Sequence, residues 1–377
     1  MQTKLLFISF FVLLVSIVTA ENDENKDTLK LDTIASVKTT SVKDQHRSGT
    51  CWSYAACSFI ESELIRKEKG KYDLSEMFFV HRAYSRKAKN YVRLHGKANF
   101  SAGGQAHDVI KTIKNHGIIT EGQYSGMIRE QEKPNHSELD KVLKGYVDGV
   151  LAAKGRGNTS VWHEGFQSVL DIYLGAVPEN FTIDNKSYNP ESFTKELNFN
   201  PDDYVELTSY SHHPFYEKFR LEIPDNWDYA DYYNVPIDEL MKIMENSLKT
   251  GYSISWDGDV SDKYFDHKAA LAIVPENEDF DIKDFDKNTP EKSIDQDLRQ
   301  KQFNTFKSTD DHLMHITGLI KDENGRQYFV TKNSWDTDSN DNDGYLNMTS
   351  SYVKLNTVAI MVHKDAIPGS IREKLNL

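Results

Sequence analysis

The sequence contains only two cysteines in 377 residues, Cys51 and Cys57. They fall six positions apart on one predicted helix, which is about 600° of rotation, so their side chains point in different directions and should not form a disulfide. No second Cys/His pair has the spacing of zinc ligands. The pattern therefore argues against a disulfide framework and a zinc site, and Cys57 is most simply a small core residue.

Basic residues are outnumbered, since 45 lysines and arginines face 58 aspartates and glutamates, for a net charge of −13. Such a surface is unsuited to nucleic acid, whose phosphates require basic partners, and to anionic membranes. The sequence also has no glycine-rich phosphate loop, dinucleotide fingerprint or internal repeat. With 38% hydrophobic and 27% charged residues, the composition indicates a soluble globular protein with one large two-lobed domain or two ordinary ones.

Long apolar runs are confined to the N-terminus, where residues 5–18 follow the positive charge of Lys4. Val18-Thr19-Ala20 then supplies small residues for cleavage before Glu21, and the pattern predicts a secretory signal peptide over residues 1–20. At 14 residues the run is short for a helix that crosses a membrane, so an uncleaved anchor is the less favoured alternative. We expect an exported protein, periplasmic or secreted, with no stable membrane insertion after cleavage.

One of the two cysteines lies in a setting that suits catalysis. Gln45 precedes Cys51 by six positions, Trp52 follows it, and apolar residues then recur three and four apart until Gly70. This periodicity predicts a helix of roughly 18 residues with Cys51 in its first turn. Free N–H groups and the helix dipole favour an anion there, so we expect the thiolate to be favoured. The alternative is a buried structural cysteine, the usual place for a lone one.

A partner for this cysteine is expected in a C-terminal hairpin. A strand beginning at His312, a turn at residues 322–325 and a returning strand over 327–332 bring Asn333 nearly opposite His312. Directly opposed residues have Cβ atoms about 4.5–5.5 Å apart, close enough for one ring nitrogen to bind the amide while the other faces Cys51. His315 competes for the role, but three positions further on it should point to the opposite face.

Other patterns are coarser. Helices are expected over roughly 72–84, 106–115, 140–153 and 299–306, and strands over 204–207 and 216–223. Tyr252, Ile254 and Trp256 alternate as in a half-buried strand. His212 and His213 precede Pro214, where a turn is favoured over a metal role.

These motifs resemble the papain-like cysteine peptidases, and the flanking residues resemble their bleomycin hydrolase and aminopeptidase C branch. The residues that carry the resemblance are Gln45, Gly49, Cys51 and Trp52 at the first motif, and His312, Asn333, Ser334 and Trp335 at the second. The resemblance implies Cys51 as nucleophile, Gln45 and the Cys51 N–H as oxyanion hole, His312 as base and Asn333 as its orienter. Trp335 would shield the His–Asn hydrogen bond and border the substrate, and no cofactor or metal would be needed.

The resemblance also implies a fold and a substrate site. It predicts an α+β, two-lobed papain-like fold with a helical lobe over about 44–133, an insertion over about 134–250, a β-barrel-like lobe over about 251–363 and a tail at 364–377. Gly103 and Gly104 would let a substrate backbone approach, although alone they indicate only a turn. Asp336 stands where the family usually has glycine, which puts the local turn in doubt.

The function implied is thiol-dependent hydrolysis of peptides, mainly from the N-terminus, in a homo-oligomer that is a hexamer by family analogy. In this branch the C-terminus lies in the cleft, so residues 370–377 are expected to cover its unprimed side, which binds residues before the cleaved bond. A frayed surface terminus is the alternative. An endopeptidase of the same fold, an inactive peptide-binding relative and an acyltransferase or transglutaminase are the other functional alternatives.

Overall fold

The structure is a computed structural model that describes residues 30–128, 133–153 and 157–377, so the predicted signal peptide lies outside the described residues. The helices in these ranges are α1 (Cys51–Arg66), α2 (Glu76–Arg93), α3 (Ala106–His116), α4 (Ser137–Ala152), α5 (Trp162–Leu174), α6 (Pro190–Leu197), α7 (Ile237–Lys249), α8 (Gln296–Asn304), α9 (Ser350–Asn356) and α10 (Gly369–Lys374). None of them is both long and apolar enough to cross a membrane.

The strands in the same ranges are β1 (Leu31–Ser36), β2 (Phe181–Ile183), β3 (Lys186–Tyr188), β4 (Tyr204–Thr208), β5 (Lys218–Arg220), β6 (Asp231–Asn234), β7 (Ile254–Gly258), β8 (Phe265–Asp266), β9 (Leu271–Ala272), β10 (His312–Asp322), β11 (Gln327–Lys332), β12 (Tyr345–Thr349) and β13 (Thr357–His363). One large sheet has the order β5-β6-β4-β13-β7-β10-β11-β12-β9-β8, with β1 also paired to β10. The small β2–β3 hairpin is separate.

The helical lobe is built around α1. Every residue of this helix from Trp52 to Leu64 is buried, because α2 and α3 pack against it on one side and β7 and β10 on the other. α2 begins at Glu76, later than the predicted Tyr72, because the Ser75 side chain accepts a hydrogen bond from the Phe78 N–H and caps the helix there. A single hydrophobic core extends from α1 through α6.

The sheet lobe has its own core, to which α7, α9 and α10 contribute. β7 was expected to be half-buried, but all five of its residues are buried, because α1 and α7 both contact it. The strand expected over residues 216–223 is reduced to β5. With one lobe built from helices and the other from a large sheet with helices packed on it, the predicted two-lobed α+β class is confirmed.

The region set apart as an insertion, residues 134–250, is shared between the two lobes. α4, α5 and α6 place Leu143, Leu170 and Phe193 in the helical core. β4, β6 and α7 belong to the sheet lobe instead. The chain passes from the helical lobe to the sheet lobe within this region. Further along the same region, the loop between β5 and β6 reaches back to the helical lobe beside the active site.

The C-terminal tail, expected from sequence to lie in the cleft, docks as a helix on the sheet lobe. Ile371 and Leu375 are buried in the core of the sheet lobe, and Lys374 forms a 2.6 Å ion pair with Glu239 of α7. The tail forms α10 and docks because its apolar residues fall at helical spacing.

Candidate active site

Cys51 is the first residue of α1, at the surface where the two lobes meet. A residue at this position has no intrahelical partner for its backbone N–H. Gly49 makes the tight approach possible, since its φ is +64° and a Cβ there would lie 2.8 Å from the Ala102 Cβ. The Trp52 indole donates to the Ala102 carbonyl at 3.1 Å and fixes the start of the helix.

Gln45 joins the two lobes beside the cysteine. Its backbone N–H donates to the Ser334 carbonyl at 2.9 Å, and its side-chain Oε1 accepts from Ser334 Oγ at 2.6 Å. These bonds orient the amide so that Nε2 is the group left to donate. This arrangement suits an oxyanion hole, in which preorganised donors face the position where negative charge develops.

His312 and Asn333 meet through their side chains, with His312 Nε2 lying 2.7 Å from Asn333 Oδ1. The remaining ring nitrogen, Nδ1, is available to a group on the other side. The pairing of His315 with Lys332 shows that His312 is not directly opposite Asn333, so the predicted register is wrong by two positions. The side chains still meet because β11 ends at Lys332, so Asn333 lies just beyond the paired strand, with its backbone N–H donating to the Gly344 carbonyl at 3.2 Å.

Aromatic rings cover the His312–Asn333 pair. The Trp335 ring stacks on the His312 ring with centroids 4.8 Å apart and 30° between their planes. His267, which no sequence motif indicated, packs against Trp335 in a T-shaped arrangement with ring centroids 4.7 Å apart. Its Nδ1 lies 3.3 Å from Asn333 Nδ2. These contacts restrict the orientation of the imidazole and limit water around its hydrogen bond.

The structure does not bring His315 to this pair. Its Nδ1 lies 2.8 Å from Ser58 Oγ on α1, and its ring packs edge-on against Phe59. Burial lowers the pKa of His315 well below its usual range. The residue is a neutral core histidine between the lobes.

The electrostatics around Cys51 differ from the expectation of a favoured thiolate. Burial, opposed by a hydrogen bond from the Leu313 backbone and assisted by the nearby Asp225, Asp310 and Asp257 carboxyls, raises the pKa of Cys51 to about 12. Burial lowers the pKa of His312 to about 4. Both shifts favour the neutral thiol and the neutral imidazole, because burial disfavours the charged form of each group.

The three carboxylates were missed by sequence reasoning. Asp257 is on β7, next to the Gly258 that pairs with His312, and Asp310 lies two positions before His312. Gln105, which follows the glycine pair, donates to Asp310 Oδ1 at 3.1 Å. Only the proximity of Asp310 to the histidine motif could have suggested an acidic site.

Gly103 and Gly104 lie beside these groups. A Cβ on Gly103 would overlap the Asp225 carboxylate, and a Cβ on Gly104 would lie 3.1 Å from the Trp52 ring. Both positions therefore require glycine in this structure. The Asp225 carboxylate occupies the position that a side chain on Gly103 would take, and the expected contact of Gly103 and Gly104 with a substrate backbone stays a prediction.

Asp336, which replaces the glycine of the family, adopts the backbone conformation that glycine favours. Its φ is +75° and its ψ is 157°, a backbone conformation that residues other than glycine rarely adopt. Its carboxylate accepts from the Thr337 N–H at 2.8 Å and pairs with Lys133 at 3.2 Å. These two contacts offset part of the strain, and the turn after Trp335 forms despite the substitution.

Within the described residues, one group of side chains could hold a metal ion: His212, His213 and Glu222. Glu222 lies 3.1 Å from His212 Nε2 and 2.7 Å from His213 Nε2. These residues flank β5 at the outer edge of the sheet, several strands away from β10 and His312. They are not part of the candidate active site.

The fold and the site together define a papain-like thiol peptidase. The chain belongs to the Peptidase C1-like family, which matches residues 14–377. The resemblance to papain-like cysteine peptidases is thereby confirmed.

Two relatives match across most of the chain. Aminopeptidase G of Lactobacillus delbrueckii subsp. lactis is 22% identical over 389 residues, which cover 90% of this chain and 84% of the relative. Aminopeptidase W of the same organism is 24% identical over 381 residues, with 89% and 84% covered. The crystal structure of PepW from Lactobacillus rhamnosis has the same fold, with a TM-score of 0.70 at 17% identity and 92% of this chain and 84% of that chain covered.

Proposed function

We propose that this peptidase is an aminopeptidase that uses Cys51, His312 and Asn333 as its catalytic triad. Three observations support the triad: His312 Nε2 lies 2.7 Å from Asn333 Oδ1, the backbone of Leu313, next to His312, hydrogen bonds to the Cys51 thiol, and Gln45 accepts from Ser334, next to Asn333. The named relatives, both aminopeptidases, support the preference for N-terminal residues.

The reaction begins with proton transfer from Cys51 Sγ to His312 Nδ1. The sulfur attacks the carbonyl carbon of the first peptide bond, and the oxygen takes up negative charge while the Cys51 N–H and Gln45 Nε2 donate to it. The C–N bond then breaks, and the protonated Nδ1 gives its proton to the leaving amine. The product of this half-reaction is a thioester with the N-terminal residue.

Water completes the cycle. His312 Nδ1, now neutral, takes a proton from water, and the hydroxyl attacks the thioester carbon within the same oxyanion hole. The C–S bond breaks, the thiol regains its proton, and the free amino acid leaves. Asn333 keeps Nε2–H bound throughout, so that Nδ1 is always the nitrogen that faces the substrate.

The aminopeptidase assignment predicts a strong preference for a free amino group. We expect kcat/KM for fluorogenic aminoacyl amides to exceed that for their N-acetyl derivatives by about 10-fold or more, since an ammonium–carboxylate contact contributes at least this much. Steady-state rates on matched pairs of substrates measure it, with Cys51→Ala as the blank. Equal rates on both members of each pair would instead indicate an endopeptidase.

We also propose that the protein is exported and loses residues 1–20 during export. The apolar run and the small residues before Glu21 support this proposal. Intact-mass and N-terminal analysis of protein recovered outside the cytoplasm should show a mature chain that begins at Glu21, whereas a chain that begins at Met1 would contradict cleavage. Light scattering on that mature protein tests the proposed homo-hexamer.

A further inference from the structure

One connection of the sheet lobe crosses to the helical lobe beside Cys51. Residues 221–230, here called the bridging loop, lie between β5 and β6 of the sheet. Trp227 is buried, its indole donates to Asp108 of α3 at 3.0 Å, and its carbonyl accepts from Asn90 of α2 at 2.7 Å. Asp228 adds a 2.8 Å ion pair with Lys111. The loop is thus fastened across one end of the cleft.

The bridging loop places a carboxylate over the glycine pair. Asp225 Oδ1 accepts from Asn99 Nδ2 at 2.9 Å, while Oδ2 is the atom nearest to Gly103 and receives no hydrogen bond from the described residues. Burial raises the pKa of Asp225, and the positive charge of Lys87 is near enough to oppose that rise. The Lys87 Nζ nevertheless donates to the carbonyl oxygens of Ser101 and Gly103 and not to the carboxylate. Asp225 therefore retains one acceptor that faces the cleft.

Two more carboxylates stand behind it with unsatisfied oxygens. Asp257 is only 2% exposed, and neither its oxygens nor Asp310 Oδ2 accept a hydrogen bond from an N–H or hydroxyl group of the described residues. Burial and the neighbouring Asp310 raise the pKa of Asp257 well above its usual range, so these two carboxyl groups share a proton. Buried polar groups are normally paired, and unpaired ones indicate a missing partner. The partner that would satisfy carboxylates is a cation with N–H donors.

We propose that Asp225, supported by Asp257 and Asp310, binds the α-ammonium group of the substrate. This contact positions the N-terminus of the peptide at the bridging loop. This inference rests on the proposed aminopeptidase function. An ammonium offers three donors and one positive charge, and the three carboxyl groups that converge beside Cys51 offer matching acceptors. An N-acylated peptide lacks this charge.

Binding of the ammonium has a consequence for the nucleophile. The same three carboxylates oppose ionisation of Cys51, since each acts on its thiol. A bound positive charge offsets them, so the substrate itself makes the sulfur easier to ionise. Free-amino substrates thus gain in the chemical step as well as in binding.

The test compares Asp225→Asn with wild type on aminoacyl amides and their N-acetyl derivatives. We expect Asp225→Asn to lower kcat/KM for the free-amino substrate by about 10- to 100-fold and to leave that of the acetylated substrate unchanged or higher. Asp228→Asn is the matched control, because it lies on the same loop but pairs with Lys111, and it should keep the wild-type ratio. Equal losses on both substrates would reduce Asp225 to a structural role and overturn the proposal.

Two further measurements separate charge from folding. Asp225→Ser removes charge and bulk together, so it should also raise turnover of acetylated peptides; if Asp225→Asn does not fold, this variant carries the test. Iodoacetamide should alkylate Cys51 of the free enzyme about 2- to 10-fold faster in either variant at neutral pH, because one opposing charge is gone. An unchanged alkylation rate together with an unchanged substrate ratio would rule the proposal out.

The remaining outcomes distinguish this inference from the function on which it rests. If wild type itself shows no preference for free amines, the aminopeptidase assignment fails and the inference fails with it. If wild type shows the preference and Asp225→Asn keeps it, only the inference fails. A loss confined to substrates with a lysine or arginine side chain would assign the carboxylates to that side chain and contradict binding of the α-ammonium.

Discussion

Replacing Cys51 by alanine is expected to lower kcat/KM for peptide hydrolysis by about 10⁴-fold or more, because removal of a catalytic nucleophile leaves only the binding groups and the oxyanion hole. The fold should be retained, since the side chain is small and lies at the edge of the core, at the first turn of α1. Rates on a free-amino fluorogenic substrate and a thermal unfolding curve measure the two quantities on one sample.

Cys57 supplies the matched control for this variant. It lies six positions along the same helix, is fully buried, and has a thiol whose pKa burial raises well above its usual range. Cys57→Ala should keep near wild-type activity with a loss of stability of about 1 kcal/mol. Iodoacetamide should label Cys51 and spare Cys57, and substantial turnover by Cys51→Ala would remove the thiol-peptidase mechanism.

The proposed triad could be predicted from the sequence because each of its members belongs to a local pattern. Cys51 begins a helix with clear apolar periodicity, and His312 begins one strand while Asn333 directly follows the next, the two strands being joined by a short turn with Gly325. Local spacing constrains such residues strongly, even though the exact register of the hairpin was wrong. The contact survived because a long side chain can bridge a shift of two positions at the end of a strand.

The residues that surround Cys51 could not be predicted from the sequence in the same way. Asp225 reaches Gly103 from a loop with no periodic pattern, and the two are brought together only by the crossing of the chain between lobes. The direction of the Cys51 pKa shift depends on that crossing and on burial, so a helix N-terminus considered alone gave the opposite direction. The docking of the C-terminal tail was missed for a related reason. Two apolar residues at helical spacing, Ile371 and Leu375, are too few to establish a periodic pattern.

The two histidines of β10 provide the second large effect. We expect His312→Ala to lower kcat/KM by about 10³-fold or more, because the residue both accepts the thiol proton and donates to the leaving amine. Asn333→Ala should lower it by only about 10- to 100-fold, since Trp335 still stacks on the ring and partly keeps its orientation. Measurements at several pH values separate loss of the base from a shift in its pKa.

His315→Ala decides whether the correct histidine has been identified. His315 belongs to the same strand as His312, but it hydrogen bonds to Ser58 and packs on Phe59 in the interior between the lobes. Its loss should therefore reduce the free energy of unfolding by about 1–3 kcal/mol and leave kcat/KM of the folded fraction near wild type. A folded His315→Ala enzyme with less activity than His312→Ala would transfer the proton-transfer role to His315. Since the neutral His312 has its Nε2–H committed to Asn333, only its Nδ1 can accept the thiol proton, and the ordering of these three variants tests that geometry directly.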